Sequence, residues 1–442
     1  MINTNDILNK LKNKADQAEV FLSKNRTLTI DVLDGKVEAI KEVEDIGCAI
    51  RLIKDKRLGF AYTSEFDESV IESTIGQALA NAANAEPDEN NCLPAPCSAM
   101  PSSLDLYDRE IDEIKIKEKV RLALEMEDSA YKADERIKKT ERVSYSDGSS
   151  EIELFNSLGL AVAYKTNMCG GFAQMIAGSD GNMEAGFGVS FTKKFADFDP
   201  AAVGEESAQR AALLLGAKHV KSRKLPLLID PVVGAEIISA MVAALTAEAV
   251  QKGKSMFADK LGQLVAAQAV TVIDDGRLPN GLSSAPFDAE GSATQETKLI
   301  DKGKLLTFLY NAYTAKKGGV NSTGNAVRGS FMNLPGTGTT NLYIPAGPVK
   351  PEEMLASIKH GLFITRVMGM HTVNPISGNF SVGAAGLMIE NGEKTYPVRG
   401  ITIAGNLIEM LKQIEAVGSD LRFIEDIGSP TLLIHDMSVS GG

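Results

Sequence analysis

Alternating apolar and polar residues, several longer segments at helical period, and a second half of short apolar runs between glycine-rich turns together predict an α+β chain. The first two patterns place antiparallel sheets with helices in an N-terminal domain, residues 1–222. The third places a β-rich domain, barrel-like or a wrapped sheet, in residues 223–442. Length agrees, because 442 residues exceed the roughly 250–300 at which a single core stops growing.

In the first domain, MINTNDILNKLKNKADQAEV has no continuous apolar run of the signal-peptide kind. It presents Ile7, Leu8 and Leu11 as the stripe of an amphipathic helix. Residues 19–63 alternate, with turn signals at Asp34-Gly35, Ile46-Gly47 and Lys54 to Arg57, which predicts an antiparallel meander with one buried face. A helix follows from about Asp67, with Ile71, Ile75 and Leu79 on its inner side. Four prolines in EPDENNCLPAPCSAMPSS mark a surface loop or linker. One helix over Arg109 to Ala133, a set of strands reaching Lys194, and a helix ending at Gly216 complete the half.

The strand KLPLLID, residues 224–230, opens the second domain. Residues 234–253, GAEIISAMVAALTAEAVQKG, read as one continuous helix, with Ile237, Met241 and Leu245 on one apolar row and Ile238, Val242 and Ala249 on another. Between those rows Glu236, Ser239 and Thr246 make only a thin polar stripe, so the helix reads as core. Short strands follow, and Asn391-Gly392 between two apolar runs is the strongest hairpin signal.

Composition narrows the function. With 44% apolar and 24% charged residues, the chain belongs with folded globular proteins. Its net charge of -12 repels phosphate backbones, so no nucleic-acid partner is expected. The most lipid-like segment, Val232 to Val250, carries Glu236 and Glu248, so no membrane partner is expected either. Cys48, Cys92, Cys97 and Cys169 are too few and too irregular for a disulfide framework, which fits a reducing cytoplasm.

Common catalytic signatures are missing. No phosphate loop, dinucleotide fingerprint or G-x-S-x-G elbow occurs. The four histidines are far apart, and His371, in the loop-rich MGMHTVNPISGNF, is the one to watch. Carboxylates are densest in VIDDGRLPNGLSSAPFDAEGSATQETKLIDKG, where Asp274, Asp275, Asp288, Glu290 and Glu296 read as a solvated loop of Asx turns ahead of a metal or acid-base site.

The order of segments after Leu225 is more specific. DDGRLPNGLSSAPFDAEG, KLIDKGKLLTFLYN, STGNAVRG and LPGTGTTNLYI, followed by SVGAAGLMIENGEKTYPVRGITIAGNLIEML and GSPTLLIHDMSVSGG, resemble the TldD/PmbA family. The ending is similar to its PmbA branch, also called TldE and "modulator of DNA gyrase". The resemblance implies a cytoplasmic peptidase assembly, a dimer of this chain with a TldD-type subunit or with itself, acting on unfolded or leader peptides. In the TldD branch, His-Glu-x-x-x-His on the helix after the KLPLLID-like strand binds zinc and supplies the base, and a late cysteine completes the site. Set in register on KGKSMF, that motif falls on Ile238, Ser239 and Ala243, and no cysteine follows Cys169. None of these three side chains offers an imidazole or a carboxylate. The expectation is therefore no catalytic residue and no metal in this chain, with zinc in the TldD-type partner. Ser322, Thr323, Asn325 and Arg328 of STGNAVRG are candidate substrate-binding residues, with Arg328 suited to a carboxylate. Two alternatives stay open: a self-sufficient peptidase with metal held by His371, Asp288 and Glu290, and a regulatory protein that binds another protein.

Overall fold

The computed structural model describes residues 4–96, 104–179 and 181–441, so Cys97 and the end of the proline-rich segment lie outside the described residues. The first half is one antiparallel sheet of six strands in the order β3-β2-β1-β4-β5-β6. Its members are β1 (Gln17–Leu33), β2 (Lys36–Lys54), β3 (Arg57–Thr63), β4 (Ile137–Asn156), β5 (Ala161–Ser179) and β6 (Asn182–Thr192). The turns at Asp34-Gly35 and Asp55-Lys56 both have positive φ, which Asp34, Gly35 and Asp55 adopt readily. The expected turn at Ile46-Gly47 does not form, and β2 runs straight through it. Gly47 has another role: a Cβ there would stand 2.3 Å from the Phe331 ring of the second domain.

Alternate residues of this sheet meet different neighbours. Val20, Cys48, Ile50 and Leu52 face α1 (Thr4–Leu11) and α2 (Glu68–Asn84). Farther along the same face, Leu28, Ile30, Val143 and Tyr145 pack with α4 (Ile116–Ala133) and α5 (Pro200–Leu213). The helix expected over Arg109 to Ala133 is divided, because α3 (Arg109–Glu113) ends at an extended Ile114. Asn167 of β5 pins the start of α3, bonding the Asp108 N–H at 2.8 Å and C=O at 2.7 Å. On the opposite face, Phe21, Ala49 and Leu154 pack against Phe287 and Phe331. Both faces are therefore used, not the single buried face that the alternation suggested.

The second half holds two larger sheets. One comprises β7 (Arg223–Ile229), then, after β8 (Val272–Asp275), β9 (Glu296–Asp301), β10 (Lys304–Leu305), β11 (Ala326–Val327), β12 (Gly336–Thr337) and β13 (Leu342–Tyr343), the strands β14 (His360–Met368), β15 (Asn379–Glu390), β16 (Glu393–Asn406), β17 (Ile414–Val417) and β20 (Leu432–Ser440). Here β16 pairs with β20 as well as β15, so β16-β15-β14-β7-β20 closes into a five-stranded barrel. The β15–β16 hairpin turns at Asn391-Gly392, with φ of 55° and 82°. The other sheet has the order β10-β9-β8-β13-β19-β18, with β18 (Arg422–Ile424) and β19 (Ile427–Ser429). Among the described residues no helix is long and apolar enough to cross a membrane.

Buried charge joins the halves. Arg51, 5% exposed in β2, donates to Glu19 of β1 and to Glu290 of the second domain, each at 2.5 Å. Arg328 also binds Glu19 and lies over the Phe21 ring, 4.5 Å from its centroid. Glu290 further accepts the Ala312 N–H at 2.8 Å. Removing one partner leaves a dry charge unopposed. Arg51→Leu is expected to lower stability by about 3–5 kcal/mol in urea denaturation. Lys56→Ala, which breaks only the exposed pair with Glu89, should shift it by less than about 1 kcal/mol.

Candidate functional site

The segment after β7 forms the site the sequence points to. Asp230 caps α6 (Pro231–Ser239), accepting the Val232 N–H at 3.0 Å, and Pro231 sits in the first turn, where no N–H is needed. The continuous helix expected over 234–253 stops at Ser239. Thr246 is extended at φ -84° and ψ 139°, and α7 (Ala247–Gln251) starts afresh from it. The cause is tertiary. Leu309 donates its N–H to Leu245 C=O at 3.0 Å and accepts from Ala247 N–H at 2.8 Å, replacing helical bonds with strand-like ones. Thr246 then caps α7, its hydroxyl accepting the Ala249 N–H at 3.3 Å.

Burial divides this segment. Ile237, Ile238, Met241, Ala244 and Leu245 lie in the main core of the domain, as the apolar rows implied. Ser239 and Ala243 are exposed. Together with Thr246 they line an open cavity of about 760 Å³, closed on other sides by Lys252, Lys254, Thr337 and Pro375. Ala249, placed on an apolar row by the period of one continuous helix, is only half-buried on that cavity wall, since it belongs to α7, which starts afresh after the break.

The STGNAVRG turn is committed to the protein's own scaffold. Ser322 donates to Tyr310 C=O at 3.1 Å, and the Thr323 hydroxyl accepts the Tyr310 N–H at 2.8 Å. Asn325 donates to Asp274 at 2.6 Å and to Gly338 C=O at 3.1 Å. The Arg328 guanidinium is taken by Glu19 and by Ala289 C=O, the latter at 3.0 Å, which leaves it one wall of a cavity of about 320 Å³ beside Phe21 and Tyr164. Burial lowers its pKa from the ordinary arginine value.

The acidic stretch differs from the solvated loop it resembled. Asp274, Asp275, Asp288 and Glu290 are buried, and only Glu296 is exposed. The Asx turns are real: Asp288 accepts the N–H groups of Glu290 and Ser292, each at 2.9 Å, and that of Ala326 at 3.0 Å. Burial pushes the Asp274 carboxyl up to about 6 and raises that of Asp288. His371 is exposed in a short turn at Met370–Thr372. Among the described residues no three or more His, Cys, Asp or Glu side chains gather where they could hold a metal ion, so His371, Asp288 and Glu290 form no such group.

Two seam features escaped the sequence reading: the buried Glu19–Arg51–Glu290 cluster and a cavity of about 830 Å³ between α5 and β18. The first had a visible signal, a lone arginine inside the apolar run CAIRLI. The second joins residues distant in sequence and had none.

With this architecture, the chain matches a metallopeptidase family along most of its length. PmbA/TldA metallopeptidase domain 1 matches residues 18–82, the central domain 109–215 and the C-terminal domain 222–441. The chain belongs to the PmbA/TldA metallopeptidase family. It is 30% identical to Metalloprotease PmbA of Escherichia coli O157:H7 over 438 residues, 97% of this chain and 93% of that one. A Thermotoga maritima protein proposed to modulate a DNA gyrase superposes with a TM-score of 0.92 at 30% identity, covering 99% of both chains. TldE from Thermococcus kodakarensis shares the fold, with a TM-score of 0.91 at 23% identity over 99% of both chains.

The residues in the expected metal register do not fit zinc. Ile238 is fully buried alkyl, Ala243 has no donor atom, and Ser239 offers only a hydroxyl. One turn before Ser239, Glu236 is half-buried without an ion partner among the described residues, and burial pushes its carboxyl up to about 7. The unfolded carboxyl titrates near ~4.3, so the fold prefers the protonated form. Its contribution to stability is full below the unfolded value and declines as pH rises through 7. Thermal melts of Glu236→Gln and the parent chain should nearly coincide at pH 4.5, and the variant should melt higher at pH 8.

Proposed function

We propose that this chain is the PmbA/TldE-type subunit of a cytoplasmic zinc peptidase assembly that acts on unfolded or leader peptides. Zinc and the catalytic base belong to a TldD-type partner, and this chain supplies walls of the peptide path. The observation that carries the reading is the chemistry beside the open cavity. Of the positions that would present two imidazoles and a carboxylate, Ser239 and Ala243 stand on its wall and Ile238 is buried in the core behind them. An exposed small-residue surface suits contact with an extended main chain, which needs no specific side chain opposite it. When bound in the partner, zinc supplies an acidified water and polarises the scissile carbonyl. The residues of this chain exclude water and orient the peptide.

The assembly reading also makes a dimer the working form, by pairing with a TldD-type chain or with a second copy. The test is direct. The purified chain, with and without a TldD-type subunit, is incubated with unstructured peptides, and cleavage is followed by mass spectrometry. Chelator-sensitive cleavage is expected only in the mixed sample. Robust chelator-sensitive cleavage by this chain alone would overturn the assignment.

A further inference from the structure

One edge of the first sheet stands open. β3 pairs with β2 only from Cys48 to Lys54, so among the described residues no strand covers that side of β2 from Lys36 to Gly47. Alternate N–H and C=O groups along the stretch therefore point outward without a strand partner. Val37, Ile40, Val43 and Ile46 are 40–49% exposed there, and no proline interrupts the run. A long edge that keeps β-branched residues this exposed is a template for a further strand.

What the template accepts follows from its own sequence. Its register with β1 sets the faces. Ile40, Glu42, Glu44 and Ile46 lie on the side of Leu28 and Ile30, where the helices pack, and Ala39, Lys41, Val43, Asp45 and Gly47 lie on the side of Phe331. A two-fold axis normal to the sheet keeps each face with itself, so residues that meet across it must differ by an even number. An axis through Val43 satisfies both faces. Val43 then meets its own counterpart, Ile40 meets Ile46, Lys41 meets Asp45, and Ala39, the smallest side chain of the set, meets Gly47 beside Phe331. Axes through Lys41, Glu42, Glu44 or Asp45 would oppose like charges at the centre, and one through Ile40 would run the ladder into the bulge opposite Asp31 and Val32. Glu42 does meet Glu44, but Arg26 already binds Glu42 at 2.6 Å. The ladder from Ala39 to Gly47 also fits its bounds, because β3 takes the edge at Cys48 and the bulge bends β2 before Ala39.

We propose that this edge is a homodimer surface, on which β2 of a second copy adds antiparallel about a two-fold axis at Val43 and joins two six-stranded sheets into one. The inference rests on the dimer reading above and gives the pairing with a second copy its contact residues. Main-chain bonds hold the strands together, and the two symmetric Lys41 to Asp45 contacts fix the register.

Sedimentation equilibrium on the full-length chain tests this. The parent chain is expected to dimerise. Lys41→Asp and Asp45→Lys should each raise the dimer dissociation constant about tenfold or more, because each opposes like charges at two symmetric positions. The double variant exchanges the charges and should return to within about threefold of the parent value. Val43→Cys gives a second readout. Residues directly opposite in an antiparallel pair lie about 4.5–5.5 Å apart at Cα, within disulfide reach, so mild oxidation should link two copies of this variant, whereas Lys36→Cys should stay unlinked. None of the four substituted side chains is buried, so folding is preserved, and circular dichroism melts verify it. A parent chain that stays monomeric, or a dimer that ignores the charge exchanges and leaves Val43→Cys unlinked, overturns the surface. Neither result touches the peptidase reading, which stands or falls on cleavage with a TldD-type subunit.

Discussion

The architecture depends on a buried cluster of four charges. Glu19 and Glu290 come from different domains and would repel in a dry interior, yet Arg51 stands between them at 2.5 Å from each. Arg328 approaches Glu19 from the second domain and stacks on Phe21 of the first. Desolvated charge is tolerated only where geometry is good and remaining lone pairs are satisfied, and the Ala312 N–H supplies one such bond to Glu290. The cluster therefore demands a particular seating of the domains. An apolar interface, being non-directional, would accept several. Every cavity along the seam inherits its shape from that seating.

A second polar contact fixes the opposite side. Glu184 of β6 receives Arg366 at 2.8 Å and Arg399 at 2.9 Å, while Arg210 of α5 reaches Asp230 at 3.0 Å. Asp230 is also the cap of α6, so the helix that borders the candidate site is tied at its first residue to the first domain. The site is thus a property of the whole chain, although its lining residues belong mostly to the second half.

Much of the fold was legible because local pattern and tertiary role agreed. The strands, the Asn391-Gly392 hairpin, the amphipathic first helix and the barrel-like second half all follow from period and turn chemistry. Departures occur where a distant residue overrides local preference. Gly47 reads as a turn but serves the Phe331 ring, and the apolar stretch after Ser239 reads as helix but yields its backbone to Leu309. The acidic residues around Asp288 look soluble in isolation, and only tertiary packing makes them internal ligands for backbone N–H groups. At the candidate site, residue chemistry at Ile238, Ser239 and Ala243 was readable directly. The polar turn at Ser322 to Arg328 was not, since its partners Tyr310, Asp274 and Glu19 are named only by the fold.

The closure of the barrel has an implication for how the molecule is made. β7, at residues 223–229, finds its antiparallel neighbour in β20, at residues 432–440, and β16 is sealed by the same late strand. Such remote pairing is slow to form, because loop entropy must be overcome before any contact rewards it. During synthesis the ring stays open until β20 has left the ribosome. The early sheet meanwhile waits with Arg51 beside Glu19, half of an ionic lock whose other half arrives later.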